Sequence, residues 1–268
     1  MRFFYLGLML FCLQASPLFA LTLAGTGDSE MLLQRLATEY HRLHSDREVY
    51  VPASVGSGGG IRMLLQGRSE LARVARPLSQ AEKQQGLSWR GFAQVPIVFI
   101  ANLPLKCMTD LNSKQILGIF NGKYRRWSQL GNCPDQKIYL ARREAGDSSN
   151  RILYQQISGL REIQYPVGRI IYTTHEAFET IANHPYTLGY LPVSQIKGSS
   201  LIQFSINGVM PNSESMANRS YVLLLQLALV WKAPLSEEAK QFLQFLETTK
   251  AQEVIRSFGG IPASERDI

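Results

Sequence analysis

The sequence predicts an α/β fold built on parallel β-sheet, and two strand–loop–helix units near the amino terminus indicate it. Strand-like residues 21–24 enter the glycine turn Gly25-Thr26-Gly27-Asp28-Ser29, and a helical pattern of apolar residues follows. Residues 48–51 form a second strand-like run, after which Gly56-Ser57-Gly58-Gly59-Gly60 precedes another helical pattern. Strand, loop and helix repeated in this way are typical of a parallel sheet, whose ligands bind at the carboxyl ends of the strands.

The later part of the chain continues to alternate between strands and helices. An apolar run at 221–231 is far too short to span a membrane. The remaining predictions are strands at 94–101, 137–141, 186–192 and 201–206, a helix at 113–120, and a terminal amphipathic helix at 236–258 that Gly259-Gly260 ends.

The turn Arg143-Glu144-Ala145-Gly146-Asp147-Ser148-Ser149-Asn150 is the most informative stretch. A flexible glycine and short oxygen-bearing side chains precede a helical pattern, which predicts a helix N-terminus with unpaired N–H groups. Arg143 adds a planar guanidinium group, which binds oxyanions through two parallel hydrogen bonds. Together with the two earlier glycine turns, this stretch predicts an oxyanion site.

The first twenty residues predict a secretory signal. A basic start, Met1-Arg2, precedes the apolar residues 3–13, and the segment ends in the small residue Ala20. The apolar run is too short for a membrane anchor, so we expect export and cleavage near Ala20.

Cleavage would remove Cys12 and leave Cys107 and Cys133 as the remaining cysteines. In an oxidising compartment these two can pair, and a bridge closing about 27 residues would stabilise the fold by roughly 3 kcal/mol. The alternative is two buried free thiols, and the predicted export favours the bridge.

The charge distribution and the absence of catalytic motifs exclude several classes of function. The formal charge of +7 falls by one, to +6, when Arg2 is removed, and its basic residues are scattered rather than interleaved with aromatics. With export, this argues against nucleic-acid binding. The sequence lacks the nucleophile-elbow, phosphate-loop and His-Glu-x-x-His motifs, and His41 and His44 have no third ligand close in sequence. We therefore expect no enzyme activity, no cofactor and no metal site.

Taken in order, several motifs resemble the phosphate-binding proteins of bacterial phosphate ABC importers. The resemblance covers nearly all of the chain after residue 20. Beyond the two glycine turns, the motifs are Ala75-Arg76-Pro77-Leu78-Ser79, Ile116-Leu117-Gly118-Ile119-Phe120-Asn121-Gly122 with Trp127, the turn from Arg143 to Ser149, Leu188-Gly189-Tyr190, and Phe258-Gly259-Gly260-Ile261-Pro262.

The resemblance implies a monomeric, periplasmic solute-binding protein of type II architecture. Two α/β lobes, each with a mainly parallel sheet, would be joined by two crossing hinge strands and would close on an oxyanion, most simply phosphate. Residues 21–98 with 203–268 would form lobe I, and residues 99–202 would form lobe II. An ABC permease in the inner membrane would receive the ligand.

The resemblance also implies which residues bind the ligand. By position these are Thr26, Gly27, Ser57, Gly58, Arg143, Asp147, Ser148 and Ser149. Arg76 has two interpretations that the sequence does not separate: it neutralises the ligand, or it pairs with an acid on the lobe face. Trp127 and Tyr190 are expected to be packing residues.

Two positions depart from the family pattern. The family places an aspartate, which accepts a hydrogen bond from protonated phosphate, where this chain has Ala75. Asp147 stands where the family often has serine, and we expect it to cap the helix. Alternatively, Asp147 or Asp28 takes over the missing acceptor role. The loss at Ala75 also leaves open a second function, a phosphate-binding-like module that serves envelope signalling or a protein partner without transport.

Overall fold

The computed structural model describes residues 20–263 and confirms the predicted α/β class; of the predicted signal segment, it includes only Ala20. The strands are β1 (Leu21–Gly25), β2 (Val49–Tyr50), β3 (Leu71–Val74), β4 (Leu87–Ala101), β5 (Asp110–Leu111), β6 (Tyr139–Arg143), β7 (Arg169–Ile171), β8 (Thr187–Pro192), β9 (Ile202–Gln203), β10 (Ser205–Ile206), β11 (Leu224–Lys232) and β12 (Ile261–Pro262). The helices are α1 (Glu30–Leu43), α2 (Gly56–Leu65), α3 (Gln80–Gln84), α4 (Ser113–Phe120), α5 (Ser148–Gln156), α6 (Thr174–Asn183), α7 (Ser213–Ala217), α8 (Glu237–Phe245) and α9 (Thr249–Ser257).

The strands of both lobes join in one continuous sheet. Its order across residues 20–263 is β2-β1-β3-β11-β4-β8-β6-β7, with β9 and β12 also pairing with β4. On one side β1 is parallel to β2 and β3, and on the other side β6 is parallel to β7 and β8. The strands β4 and β11 run antiparallel to each other in the middle. The two parallel groups are the sheets of the two lobes, as the sequence predicted.

Strand β4 belongs to both lobes. Up to Pro96 it pairs with β11, and from Ile97 onward it pairs with β8. The exchange of partners happens at Pro96, a residue without an N–H to donate to a ladder. This strand is therefore one of the two expected crossing strands, and it is continuous from one lobe to the other.

The strand pairing indicates where the chain returns from lobe II to lobe I. We expected the chain to return to lobe I at residue 203, yet Ser205 and Ile206 pair with β5 of lobe II. The hydroxyl of Tyr221 donates to the carbonyl oxygen of Ile97 over 2.6 Å, at the exchange point of β4. We therefore propose that the second crossing lies near Tyr221.

Two predicted elements are interrupted in the structure. The single helix expected at 236–258 is wrong, because α8 ends before Leu246 and α9 begins after Thr248. The Thr248 hydroxyl accepts from the Ala251 N–H over 3.3 Å and so caps a new helix. The strand expected at 201–206 is split into β9 and β10, which pair with different strands.

Aromatic clusters fill the cores of both lobes. Trp127 is fully buried in lobe II, where its ring stacks on Phe204 with 6.2 Å between centroids. In lobe I, Tyr40 packs edge-on against Phe242 at 5.3 Å. Trp127 is thus a packing residue, as expected. Within residues 20–263, none of the helices combines the length and the apolar character needed to cross a membrane.

Cys107 and Cys133 form a disulfide, as predicted, across a sequence separation of 26 residues. The bridge ties the segment before β5 to the loop that follows Trp127. The bridge restricts the conformations of lobe II in the unfolded state. In the loop-closure model, this loss of unfolded-state entropy is the main source of the stabilisation.

We predict that replacing both cysteines by serine lowers the free energy of unfolding by about 3 kcal/mol, because the unfolded chain regains its loop entropy. Urea unfolding of the wild type and of the Cys107→Ser/Cys133→Ser variant measures the difference. Titration of free thiols in the native wild type is the control, and two reactive thiols, or equal unfolding free energies, would contradict the prediction.

Candidate oxyanion site

A cavity of about 180 Å³ lies between the two lobes, at the carboxyl ends of β1 and β6. It is lined by residues from four turns: Thr26, Gly27, Ser54, Val55, Gly56, Ser57, Arg143, Glu144, Gly146, Asp147, Ser148, Tyr172, Thr173 and Thr174. The two lobes contribute almost equally, so a molecule in this cavity contacts both.

Each of the four turns begins a helix. Thr26 caps a 3-10 turn at Gly27–Ser29, and Asp147 and Thr173 cap α5 and α6 through their side chains. At α2 the N-cap position holds Val55, which makes no side-chain cap in the described structure. Helix starts present unpaired N–H groups and a positive dipole end, so the four turns together favour an anion in the cavity.

Gly27 allows the lobes to approach each other here. A Cβ atom built on Gly27 would lie 2.7 Å from Oγ1 of Thr174 in the opposite lobe. Any side chain at this position would push the two helix starts apart. Glycine is therefore required for the observed contact, which explains the second glycine of the first turn.

Arg143 is the cationic residue in the described lining of the cavity. It is 4% exposed at the end of β6, and its Nη2 donates to Oδ2 of Asp147 over 2.7 Å and to Oγ1 of Thr174 over 3.3 Å. Its Nε and Nη1 atoms are buried without a hydrogen-bond partner among residues 20–263. Buried donors of a charged group are costly unless they are paired, so these two atoms point to a ligand.

The backbone of Arg143 is held in place by a buried tyrosine. The Arg143 N–H donates to the Tyr190 hydroxyl over 3.0 Å, and that hydroxyl donates to Oδ1 of Asn150 over 2.7 Å. Burial raises the pKa of Tyr190, which keeps the hydroxyl protonated. This chain of bonds fixes the end of β6 against the first turn of α5.

Asp147 has two roles in the structure. Its Oδ1 accepts from the Asn150 N–H over 2.9 Å, which confirms the predicted helix cap, and its Oδ2 pairs with Arg143. Both groups of this pair are nearly buried and the carboxylate lines the cavity. Asp147 therefore orients the guanidinium group that faces the ligand space.

Asp28 lies behind the cavity wall and is 1% exposed. Oγ1 of Thr26 lies 3.3 Å from its Oδ2, while the hydroxyls of Ser149 and Thr174 each lie 3.4 Å from its Oδ1. Burial, with the charge of Asp147 as a second cause, raises the pKa of Asp28 from 3.8 to about 7, and Arg143 opposes the rise. The carboxyl group therefore contacts hydroxyls of both lobes.

Arg73 holds the first glycine turn, Gly25 to Ser29, through hydrogen bonds to backbone carbonyl oxygens. Its side chain is fully buried and donates to the carbonyl oxygens of Leu23, Thr26 and Pro52 over 2.9, 2.8 and 2.7 Å. Burial lowers the pKa of Arg73 to about 10, against the opposing charge of Glu30 at 3.1 Å. Sequence analysis missed this residue, although an arginine within the apolar run before Ala75 was a visible signal.

The predicted site residues divide into two groups. Thr26, Gly27, Ser57, Arg143, Asp147 and Ser148 line the cavity, while Gly58, Ser149 and Arg76 are absent from its described lining. Ser149 reaches Asp28 instead. Arg76 makes two bonds of 2.8 and 2.7 Å to Glu82, which is the pairing alternative left open by the sequence.

The structure adds a turn that sequence analysis did not propose. Tyr172, Thr173 and Thr174 precede α6 and line the cavity beside Arg143. The two threonines before a helical pattern are the same signal that identified α5. Ser57 and Ser148, from opposite lobes, complete the contact with hydroxyl oxygens 3.5 Å apart.

Comparison with known proteins agrees with this architecture. A family model described as a PBP superfamily domain matches residues 14–249. The phosphate-binding protein PstS of Bacillus subtilis is 25% identical over 256 residues, covering 93% of this chain and 82% of that protein. The resemblance inferred from the motifs is confirmed.

Solved structures share the fold. A substrate-binding protein from Clostridium perfringens, solved with bound phosphate, has a TM-score of 0.79 and 23% identity, covering 91% of this chain and 100% of its own. An ABC-type phosphate transport receptor from Vibrio cholerae has a TM-score of 0.65 and 24% identity, covering 90% of this chain and 99% of its own.

We predict that the wild type loses unfolding free energy relative to Asp28→Asn as pH rises from about 4 to about 7. A carboxyl with a raised folded-state pKa binds its proton more tightly when folded, so its contribution falls over this range and is constant above it. Denaturant unfolding of both proteins at several pH values measures the effect. Asp46→Asn, at an exposed carboxyl, is the matched control and should follow the wild type; if Asp28→Asn also does, the prediction fails.

Proposed function

We propose that this chain, which belongs to the PBP superfamily, is an exported solute-binding protein that holds phosphate between its lobes and delivers it to an ABC importer. The observation that carries the proposal is Arg143, which lines the interlobe cavity and whose buried Nε and Nη1 have no partner among the described residues. The names of the relatives, among them a phosphate-binding protein and a phosphate transport receptor, support the same ligand.

The size of the cavity favours an inorganic anion over an organic substrate. Sites for drug-sized ligands occupy about 300 to 1,000 Å³, and this cavity measures about 180 Å³. A tetrahedral oxyanion fits such a space and offers oxygens in four directions. Arg143, the hydroxyls of Thr26, Ser57 and Ser148, and the N–H groups of the helix starts supply donors from several sides.

The charges of the lining favour an oxyanion that carries a proton. Arg143 is the cation of the described lining, whereas Asp147 and Glu144 are both acids. A carboxylate beside the ligand can accept a hydrogen bond from a P–OH group, while a sulfate dianion would meet it with lone pairs on both sides. The family's acid is absent at Ala75, whose N–H donates to Ser57 over 3.2 Å. Asp147 takes the acceptor role in this proposal, and Asp28 supports it through Thr26 and Thr174.

Capture and release require the lobes to separate. Opening at the partner exchange of β4 and at the second crossing near Tyr221 would break the contacts of Asp28 with Ser149 and Thr174. Closure excludes water from the cavity and so strengthens the bonds of Arg143 to the ligand. The permease would recognise the closed arrangement of the lobes. The disulfide is consistent with export, and the chain acts as a monomer without enzyme activity or nucleic-acid partner in this proposal.

We predict that Arg143→Ala weakens phosphate binding by a hundredfold or more, since two charge-assisted hydrogen bonds are worth about 3 kcal/mol together. Isothermal titration calorimetry with phosphate measures the change. Arg142→Ala is the matched control, because the neighbouring side chain donates to the carbonyl oxygens of Val167 and Pro166 and is absent from the described lining. Phosphate affinity that survives Arg143→Ala in a folded protein would overturn the proposal.

We predict that Asp147→Asn lowers the ratio of phosphate to sulfate affinity by about tenfold, or about 1.4 kcal/mol, because the amide can donate to a fully deprotonated oxyanion. Asparagine caps helices as well as aspartate does, so α5 should be preserved. Calorimetric titrations with both anions give the ratio, and Asp28→Asn is titrated in parallel to separate the two carboxyl groups. A ratio unchanged in both variants would show that neither takes the acceptor role.

A further inference from the structure

A second cavity, of about 700 Å³, lies in lobe II at the end of the sheet opposite the oxyanion site. It is bordered by Tyr139, Arg169 and Thr187, the first residues of the parallel strands β6, β7 and β8. Arg143 is the last residue of β6, and at about 3.3 Å per residue it lies about 13 Å from Tyr139. The two cavities are therefore separate sites.

The walls of the second cavity are largely apolar. Ile138 and Leu140 are buried core residues that border it, and the side chain of Val167 is 39% exposed at its edge. Tyr139, with 52% of its surface exposed, offers an aromatic face. A cavity of this size and character falls within the range of sites that enclose an organic molecule.

Its charged groups are all cationic. Arg125, Lys137 and Arg169 border the cavity, and the lining that the structure describes contains no aspartate or glutamate. Arg125 uses its Nε on the carbonyl oxygen of Gly122, and Lys137 Nζ lies 5.2 Å from the centre of the Tyr139 ring. Arg169 lies 3.8 Å from Glu176, an exposed pair that contributes little. These three side chains therefore leave positive charge at the cavity edge that can pair with an anionic group of a ligand.

We propose that this cavity binds a small amphipathic organic anion. The apolar or aromatic part of the ligand would lie against Ile138, Leu140 and Val167, and its sulfonate, carboxylate or phosphate group would meet Lys137 and Arg169. An inorganic anion does not suit the cavity, because apolar walls cannot replace its water. Both halves of the ligand are thus required, and each half has its own set of residues.

The test compares two fluorescent probes with the same aromatic skeleton. The probe 1-anilinonaphthalene-8-sulfonate carries an anionic group, and N-phenyl-1-naphthylamine lacks it. We expect saturable one-to-one binding of the sulfonate, at least tenfold tighter than the neutral probe, and no displacement by saturating inorganic phosphate. The proposal does not depend on phosphate binding, so it can fail or hold independently of the function proposed above.

Variants of the full chain assign the signal to the cavity. Lys137→Ala/Arg169→Ala should weaken sulfonate binding at least tenfold and leave the neutral probe unchanged, whereas Val167→Trp should block both probes. Lys123→Ala/Arg126→Ala is the matched control, because these exposed cations are absent from the described lining. Equal affinity for the two probes, displacement by phosphate, or sulfonate binding unaffected by both Lys137→Ala/Arg169→Ala and Val167→Trp would overturn the proposal.

Discussion

The main constraint on this structure is that three ionisable side chains, Arg143, Asp147 and Asp28, are buried together where the lobes meet. Buried charges destabilise a protein unless they are paired and hydrogen-bonded. Arg143 and Asp147 satisfy part of this need within lobe II, and Asp28 brings the opposite lobe into the same network through Thr174 and Ser149. Two donors of Arg143 still lack a partner among residues 20–263. The oxyanion of the proposed function would supply the missing acceptors.

The fold places these groups by a simple rule of parallel sheets. The strands β1 and β6 end at the same level in their own lobes, and each is followed by a turn that begins a helix. Strand β4 and its neighbour β11 connect the two parallel groups, so the carboxyl ends face each other across the junction. Arg73 holds the turn after β1 and Tyr190 holds the end of β6. Each half of the site is thus held by hydrogen bonds within its own lobe.

Sequence reasoning succeeded where structure is set locally and failed where it depends on distant contacts. The start of α5, its Asp147 cap and the position of α4 follow from residues within one or two helical turns. Arg76 could not be assigned, because its partner Glu82 is known only once α3 is folded. Arg73 and Thr174 were missed because their hydrogen-bond partners are 21 or more residues away in sequence. The split between α8 and α9 was missed because an amphipathic pattern continues across the break that Thr248 caps.

The proposed function requires an acid other than the one that the family pattern places at Ala75 in lobe I. At Ala75 a methyl group fills the buried position, and the adjacent N–H is used by Ser57. Asp147 lines the interlobe cavity from lobe II, and Asp28 lies behind the cavity wall with a pKa of about 7. The opposite lobe contributes to the burial of Asp28, because the hydroxyls of Ser149 and Thr174 each lie 3.4 Å from its Oδ1. Because burial is the largest cause of the raised pKa, we expect separation of the lobes to lower the pKa of Asp28. If phosphate is bound by closure of the lobes, as proposed, binding would therefore be accompanied by proton uptake at Asp28.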